Sequence, residues 1–217
     1  MKRPISRPIT RGLERNSDSG GITPSGPFTT SAAGPYIISP GAVVPAATSK
    51  ITVAIECTPD TGSLQGLFAF GMDFYGDVNS AGAINIQVVD DSGADVLPAG
   101  RTGKKKLLAG QLQTLVFSVD LSASLVVSRI DRGAVTIIGA YPITKPNSGS
   151  FSTAPALTLL RNKYAADQFV GSVDTLHIWF GEATTDGSEP TTIPDIEITG
   201  PASVINSHPW KLGVDAT

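Results

Sequence analysis

The stretch GMDFYGDVN places Asp73, Asp77 and Asn79 within seven positions. Carboxylate and amide oxygens are hard donors, and a loop that gathered three of them would supply part of the shell of roughly six to eight oxygens that calcium takes. The same residue types are ordinary in β turns, so a solvated turn is the favoured reading here and calcium the alternative. Asp90, Asp91 and Asp95 form a second acidic cluster of the same kind. Asp195 and Glu197 alternate in DIE, which gives them one face of a strand. Glycoside hydrolysis uses such paired carboxylates, but no third group joins them, and an exposed strand face accounts for the pair. His177 stands between Leu176 and Ile178 and reads as a hydrogen-bonded structural residue, while His208 precedes Pro209 and Trp210. With no metal triad and no Ser-His-Asp order, the chain reads as non-enzymatic and requires no cofactor.

The most regular chemistry lies in RPISRPITRGLER, residues 3–15, where Arg3, Arg7, Arg11 and Arg15 recur every fourth residue. That interval is close to a helical period, but Pro8 would break a helix interior, and each proline pushes Arg3 or Arg7 toward extended geometry. In an extended chain four residues span ~13 Å and return to the same face. The arginines therefore share one side with Ile5, Ile9 and Leu13, leaving Pro, Ser and Thr on the other. Alternating guanidinium and aliphatic groups suit an anchor laid along a partner protein; the alternative is a solubilising tail.

The charge distribution sharpens this contrast. Lys2 and the four arginines against Glu14 leave the first 15 residues at +4, whereas the remaining 11 basic and 18 acidic residues leave the body at −7. An acidic body without aromatics beside its basic residues argues against nucleic acid as a partner. Arg101, Lys104, Lys105 and Lys106 form a basic turn, read as a solvated hairpin end. No apolar run reaches the ~20 residues that span a bilayer, and no apolar segment follows the N-terminal basic residues as in a secretory signal. A soluble protein made in the cytoplasm is expected. Cys57, the sole cysteine, excludes an internal disulfide and a cysteine-based metal cluster.

These groups must be positioned by a β framework. Charged residues are 16% of the 217, hydrophobic ones 41%, and 23 glycines with 16 prolines suit short strands and many turns. Residues 16–49 read as a Gly/Pro/Ser/Thr-rich tether in which Phe28, Tyr36 to Ile38, and Val43 with Val44 could fasten an extended chain to its own body or to a partner. From Lys50 alternation begins, with Ile51, Val53, Ile55 and Cys57 opposite Thr52, Ala54 and Glu56. Further strands are expected at 65–71, 83–90, 113–120, 124–130, 134–139, 156–160 and 169–180, separated by turn signals. This spacing indicates one sandwich or jelly roll over 50–182. Residues 183–217 form a C-terminal appendage carrying one short alternating piece at 195–199.

Two resemblances extend this reading. FVGSVDTLHIW, with Phe169, Gly171, Val173, Asp174, Leu176, Ile178 and Trp179, resembles the closing strand of laminin G-like, concanavalin A-like jelly rolls. AGQLQTLVFSVD looks like that family's central strand, with Leu112 and Gln113 in place of its Trp-His pair; SLVVSRIDRG is similar to the next strand and its turn. The resemblance covers about residues 50–182 and implies an all-β antiparallel jelly-roll sandwich, with calcium or sugars bound at loop rims in some members. The basic arm, tether and β domain together resemble minor virion proteins of tailed bacteriophages. This implies a structural protein of the virion, such as a capsid decoration, head fibre or tail part, present in many copies, docked on other virion proteins, and able to face host glycans. A carbohydrate-binding module of non-viral origin is the second reading and a glycoside hydrolase the third.

Overall fold

A computed structural model describes residues 28–30, 36–62, 64–71, 73–93, 96–97, 106–153, 156–160, 169–199 and 211–213. These residues form thirteen strands: β1 (Phe28–Thr30), β2 (Tyr36–Ala42), β3 (Lys50–Pro59), β4 (Gln65–Phe70), β5 (Phe74–Val78), β6 (Ile84–Val88), β7 (Gln113–Asp120), β8 (Leu125–Arg132), β9 (Val135–Pro142), β10 (Ala156–Leu159), β11 (Gly171–Phe180), β12 (Ile196–Thr199) and β13 (Lys211–Gly213). One sheet, A, runs β1-β11-β3-β7-β8-β9, with β12 on β11 beside β1; the other, B, runs β13-β2-β10-β4-β5-β6. The strand pairs are antiparallel. The fold is the antiparallel jelly-roll sandwich that the resemblance implied.

The period-2 pattern explains where the core sits. Ile51, Val53, Ile55 and Cys57 of β3, Leu115, Phe117 and Val119 of β7, and Val173, Leu176 and Ile178 of β11 point between the sheets and are almost wholly buried. Phe68 from sheet B meets Phe117 from sheet A at a ring separation of 5.1 Å, and Phe70 meets Phe180 at 6.2 Å, so aromatic contacts bridge the two layers. The Phe68 ring lies over its cross-strand partner Gly76, where an added Cβ would come within 2.6 Å of it. The resembling segment FVGSVD also has a geometric basis. Asp174 is the extra residue of a β-bulge, because Val173 faces Cys57 while Thr175 faces Glu56.

Strands from the flanking segments complete both sheets. β1 pairs with β11 and β2 with β10, so the apolar stitches at Phe28 and at Tyr36 to Ile38 fasten to the chain's own body. From the C-terminal segment, β12 pairs with β11 and β13 with β2. Within residues 50–182, β5 is the strand that the sequence does not announce. The sequence reading places GMDFYGDVN in one loop; Gly76 and Asp77 disfavour strands, yet β5 sits between β4 and β6, where pairing on both sides overrides that preference.

Candidate binding site

The outward face of sheet A carries the polar half of each alternation. Cross-strand registers align Thr175, Glu56, Thr114, Asp131 and Thr136 in one row, taken in order across β11, β3, β7, β8 and β9. The next row is His177, Ala54, Val116, Arg129 and Ile138, and the third is Trp179, Thr52, Ser118, Val127 and Ala140. Residues 181–195 cross the second and third rows as a strap. Thr52 Oγ1 donates to the Glu182 carbonyl at 3.0 Å, the Thr184 amide donates to Ser118 Oγ at 2.8 Å, and Trp179 Nε1 donates to the Thr192 carbonyl at 3.0 Å. Gly187, at φ +69°, rests on Arg129 and Val127, where a Cβ would lie 2.9 Å from Arg129 Cβ. The strap buries a small second cluster of Ala54, Val116 and Trp179.

Because the strap stops short of the first row, that row is left as an open cleft of about 650 Å³, with Glu56, Thr114, Arg129, Asp131 and Thr136 in its lining. Asp131 accepts from Arg129 Nε at 2.7 Å and from Thr136 Oγ1 at 2.5 Å, which ties the guanidinium, the carboxylate and the hydroxyl together. At the rim, buried Gln113 donates from Nε2 to the Leu108 carbonyl at 2.8 Å and accepts from Arg132 Nε at 2.8 Å. Arg132 also donates to the Lys106 carbonyl. Gln113 thus ties the loop before β7 to the end of β8. Side chains standing on paired strands hold their donors and acceptors in place at little entropic cost on binding. The cleft therefore offers two carboxylates, two hydroxyls and a guanidinium to a ligand with several hydroxyl groups.

Sequence reasoning did not assemble this set, because its members come from four strands and span residues 56 to 136. The available signal is modest: Glu56 is the one charged residue among the outward members Thr52, Ala54 and Glu56 of the first alternation. The sequence reading ends this strand at residue 130 and places Asp131 in the turn, whereas β8 continues to Arg132 and the reversal is Gly133–Ala134, with Gly133 at φ +60°.

The calcium reading does not fit. Asp73 precedes β5, Asp77 lies within it and Asn79 follows it, so the first and last are separated by ~20 Å of extended chain. Asn79 Oδ1 accepts from the Ala81 and Ala83 amides at 2.9 and 3.0 Å, and Asp77 Oδ1 accepts from Asn85 Nδ2 at 3.0 Å. Burial raises the Asp73 carboxyl above its ordinary value, opposed by a hydrogen bond from Ser152. Among the described residues, no group of three or more His, Cys, Asp or Glu is gathered for a metal. Asp90 is a buried structural tie, accepting from Ser92 and from the Ser148 amide.

Of the paired carboxylates, Asp195 Oδ2 accepts the Phe180 amide at 2.7 Å and pins the end of the strap, while Glu197 lies opposite His177. His177 Nδ1 lies 3.3 Å from Glu189 of the strap. The residues expected to form an anchor, Arg3, Ile5, Arg7, Ile9, Arg11, Leu13 and Arg15, lie outside the described residues, as do Asp95, Arg101, Lys104, Lys105 and His208.

No protein-family profile matches the sequence, and no curated protein matches it. Solved structures do share the fold. A putative carbohydrate-binding protein from Bacteroides ovatus aligns with a TM-score of 0.51 at 13% identity, over 82% of this chain and 52% of that one. Tailspike protein 2 from Escherichia coli O157:H7 bacteriophage CAB120 aligns with a TM-score of 0.50 at 13% identity, over 81% of this chain and 28% of that one. This chain thus spans about half of the first and less than a third of the second. At such identity the likeness is one of fold.

Proposed function

We propose that this chain is a non-catalytic structural protein of a phage particle, attached through its N-terminal arm and presenting the sheet A cleft to host-surface glycans. The observation that carries the reading is the cleft itself: an open, polar row of fixed donors and acceptors on the outward face of a jelly roll. Sugars present neighbouring hydroxyls that each donate and accept, and charge-assisted contacts to carboxylate and guanidinium groups are the stronger kind. Two proteins of this fold, one described as carbohydrate-binding and one a phage tailspike, support the assignment. The arrangement of basic arm, tether and β domain supports the particle role. The use of Asp195 to hold the strap supports a binding role over hydrolysis.

A glycan array probed with the full chain and with Glu56→Gln tests the reading. The expected result is retention of a discrete set of glycans, weakened ~10-fold or more in the variant, since a hydrogen bond to a charged group contributes ~1.5–3 kcal/mol. Absence of any retained glycan, or equal retention by the variant, would refute the cleft assignment. Electron microscopy of purified particles tests the particle role directly, through density for many copies of the domain. A carbohydrate-binding module of non-viral origin is the second reading, favoured by the same cleft if glycans bind and no particle carries the chain.

A further inference from the structure

The edges of the two sheets are unequal. β1 and β12, three and four residues long, share one edge of sheet A, and β13, three residues long, closes one edge of sheet B. β6 on the opposite edge of sheet B is partly covered, because Ala83 before it bridges to Lys106 and the Val88 carbonyl accepts the Val96 amide. β9 differs. It is eight residues long, pairs only with β8 among the described residues, and reads VTIIGAYP without a single charge. Val135 and Ile138 on it are 54% and 50% exposed. Edges that are to remain single usually carry charges, bulges or early prolines. Here the one proline, Pro142, stands at the far end.

We propose that β9 receives residues 3–15 of a second copy of this chain as an added strand. The proposal rests on the arm-as-anchor reading above and names the surface that the arm meets. The arm's prolines supply the argument. Pro4 and Pro8 both occupy even positions, and Gly12 continues the series. In a strand, backbone donors point alternately to the two sides, so an arm pairing through its odd positions loses no hydrogen bond to either proline. The prolines then face away from β9 and close the new edge against further strands.

The side chains also match. Placing Ile5 or Ile9 opposite Ile138 sets arginines opposite Thr136 and Ala140, both small. It keeps those arginines out of the row of Arg129 and puts one in the row of Asp131. The net +4 of the arm against −7 for the remaining chain favours the encounter.

A second copy suits better than the same chain. Phe28 lies beside Val173 near the start of β11, and its strand β1 is five strands from β9. One face of the intervening sheet is core and the other carries the strap over its second and third rows, so an intramolecular route would have to cross the open cleft or pass around an end. Donation to a neighbour is a heterologous contact, which builds rings or filaments.

The test uses purified protein without particles. Full-length chain, a variant lacking residues 1–15, and Ile138→Lys are compared by mass photometry and analytical ultracentrifugation. Circular dichroism confirms that each is folded, and Ile138 is exposed enough to tolerate lysine. The expected result is assembly by the full chain and monomers for both variants. Mixing the variants should then give a one-to-one pair, because one retains the edge and the other the arm. Three results would overturn the proposal: a monomeric full-length chain, persistent assembly without residues 1–15, or variants that fail to pair. Assembly that persists without the arm but is lost in Ile138→Lys would point instead to β9 pairing with β9. Glycan retention by the armless variant is read separately, so failure of the cleft assignment and failure of arm docking are distinguishable.

Discussion

Ile178→Ala is the perturbation that tests the two-layer core most directly. Ile178 sits on β11 with Val53 on one side and Ile196 on the other, and its side chain has no exposure. The substitution removes three carbons, each contributing about 0.8 kcal/mol through burial. The cavity left between packed sheets adds to this, since paired strands on both sides limit collapse. The expected loss is therefore about 3–4 kcal/mol, within the range of ~2–5 kcal/mol seen for such truncations. For a chain of this size that corresponds to a fall in Tm of roughly 6–16 °C. Urea unfolding followed by tryptophan fluorescence measures it, with Trp179 one residue away as reporter. Ile193, 57% exposed on the strap, serves as the control: Ile193→Ala should stay within about 0.5 kcal/mol of the parent. Equal small effects for the two would mean that β11 does not face a packed core, and the sandwich as described would be wrong.

Two other expectations concern single residues. Gly171 has φ +144°, and a Cβ there would come within 2.3 Å of the Thr58 carbonyl oxygen and 2.7 Å of Pro59 Cα. Gly171→Ala should therefore cost about 2–5 kcal/mol through strain and rigid contact together. Gly149→Ala, at φ +86° with open space around it, should cost only ~1–2 kcal/mol, and equal losses in thermal melts would discount the clash. Burial pushes the Cys57 thiol up to about 12, with Asp174 and Glu56 adding to the effect. A maleimide or disulfide reagent should leave it unmodified in the folded protein at pH 8 and label it fully in denaturant. Rapid native labelling would show that β3 opens locally.

Much of the fold could be read from alternation, because burial of one face is a local demand written every second residue. Ile51, Val53 and Ile55 announce β3 without any knowledge of its partners. What escaped were elements determined by pairing. β5 carries Gly76 and Asp77 because Phe68 and Asn85 on its neighbours require them, a need visible only once three strands are side by side. The same reason hid the cleft. Glu56, Thr114, Asp131 and Thr136 become neighbours through two hairpins and one long-range pairing, and each alone is an unremarkable outward residue on a strand. Asp73, Asp77 and Asn79 show the opposite error, since proximity in sequence suggests a common loop, whereas a strand sets them apart.

Thr136 belongs both to the cleft and to the open edge strand, so binding and assembly meet at one residue. Variants must therefore be chosen on either side of it. Glu56 lies three strands from β9, and Glu56→Gln removes a charge from the cleft without altering an edge contact. Ile138 lies in the next row, beside Arg129, and is not part of the lining. If the sheet acts as one rigid platform, the two changes should be independent: the first should alter glycan retention at constant assembly state, and the second the reverse. Coupling between them would mean that an arriving arm reshapes the row Glu56, Thr114, Asp131, Thr136. Its arginine opposite Thr136 would be the group responsible, because that position extends the row by one strand.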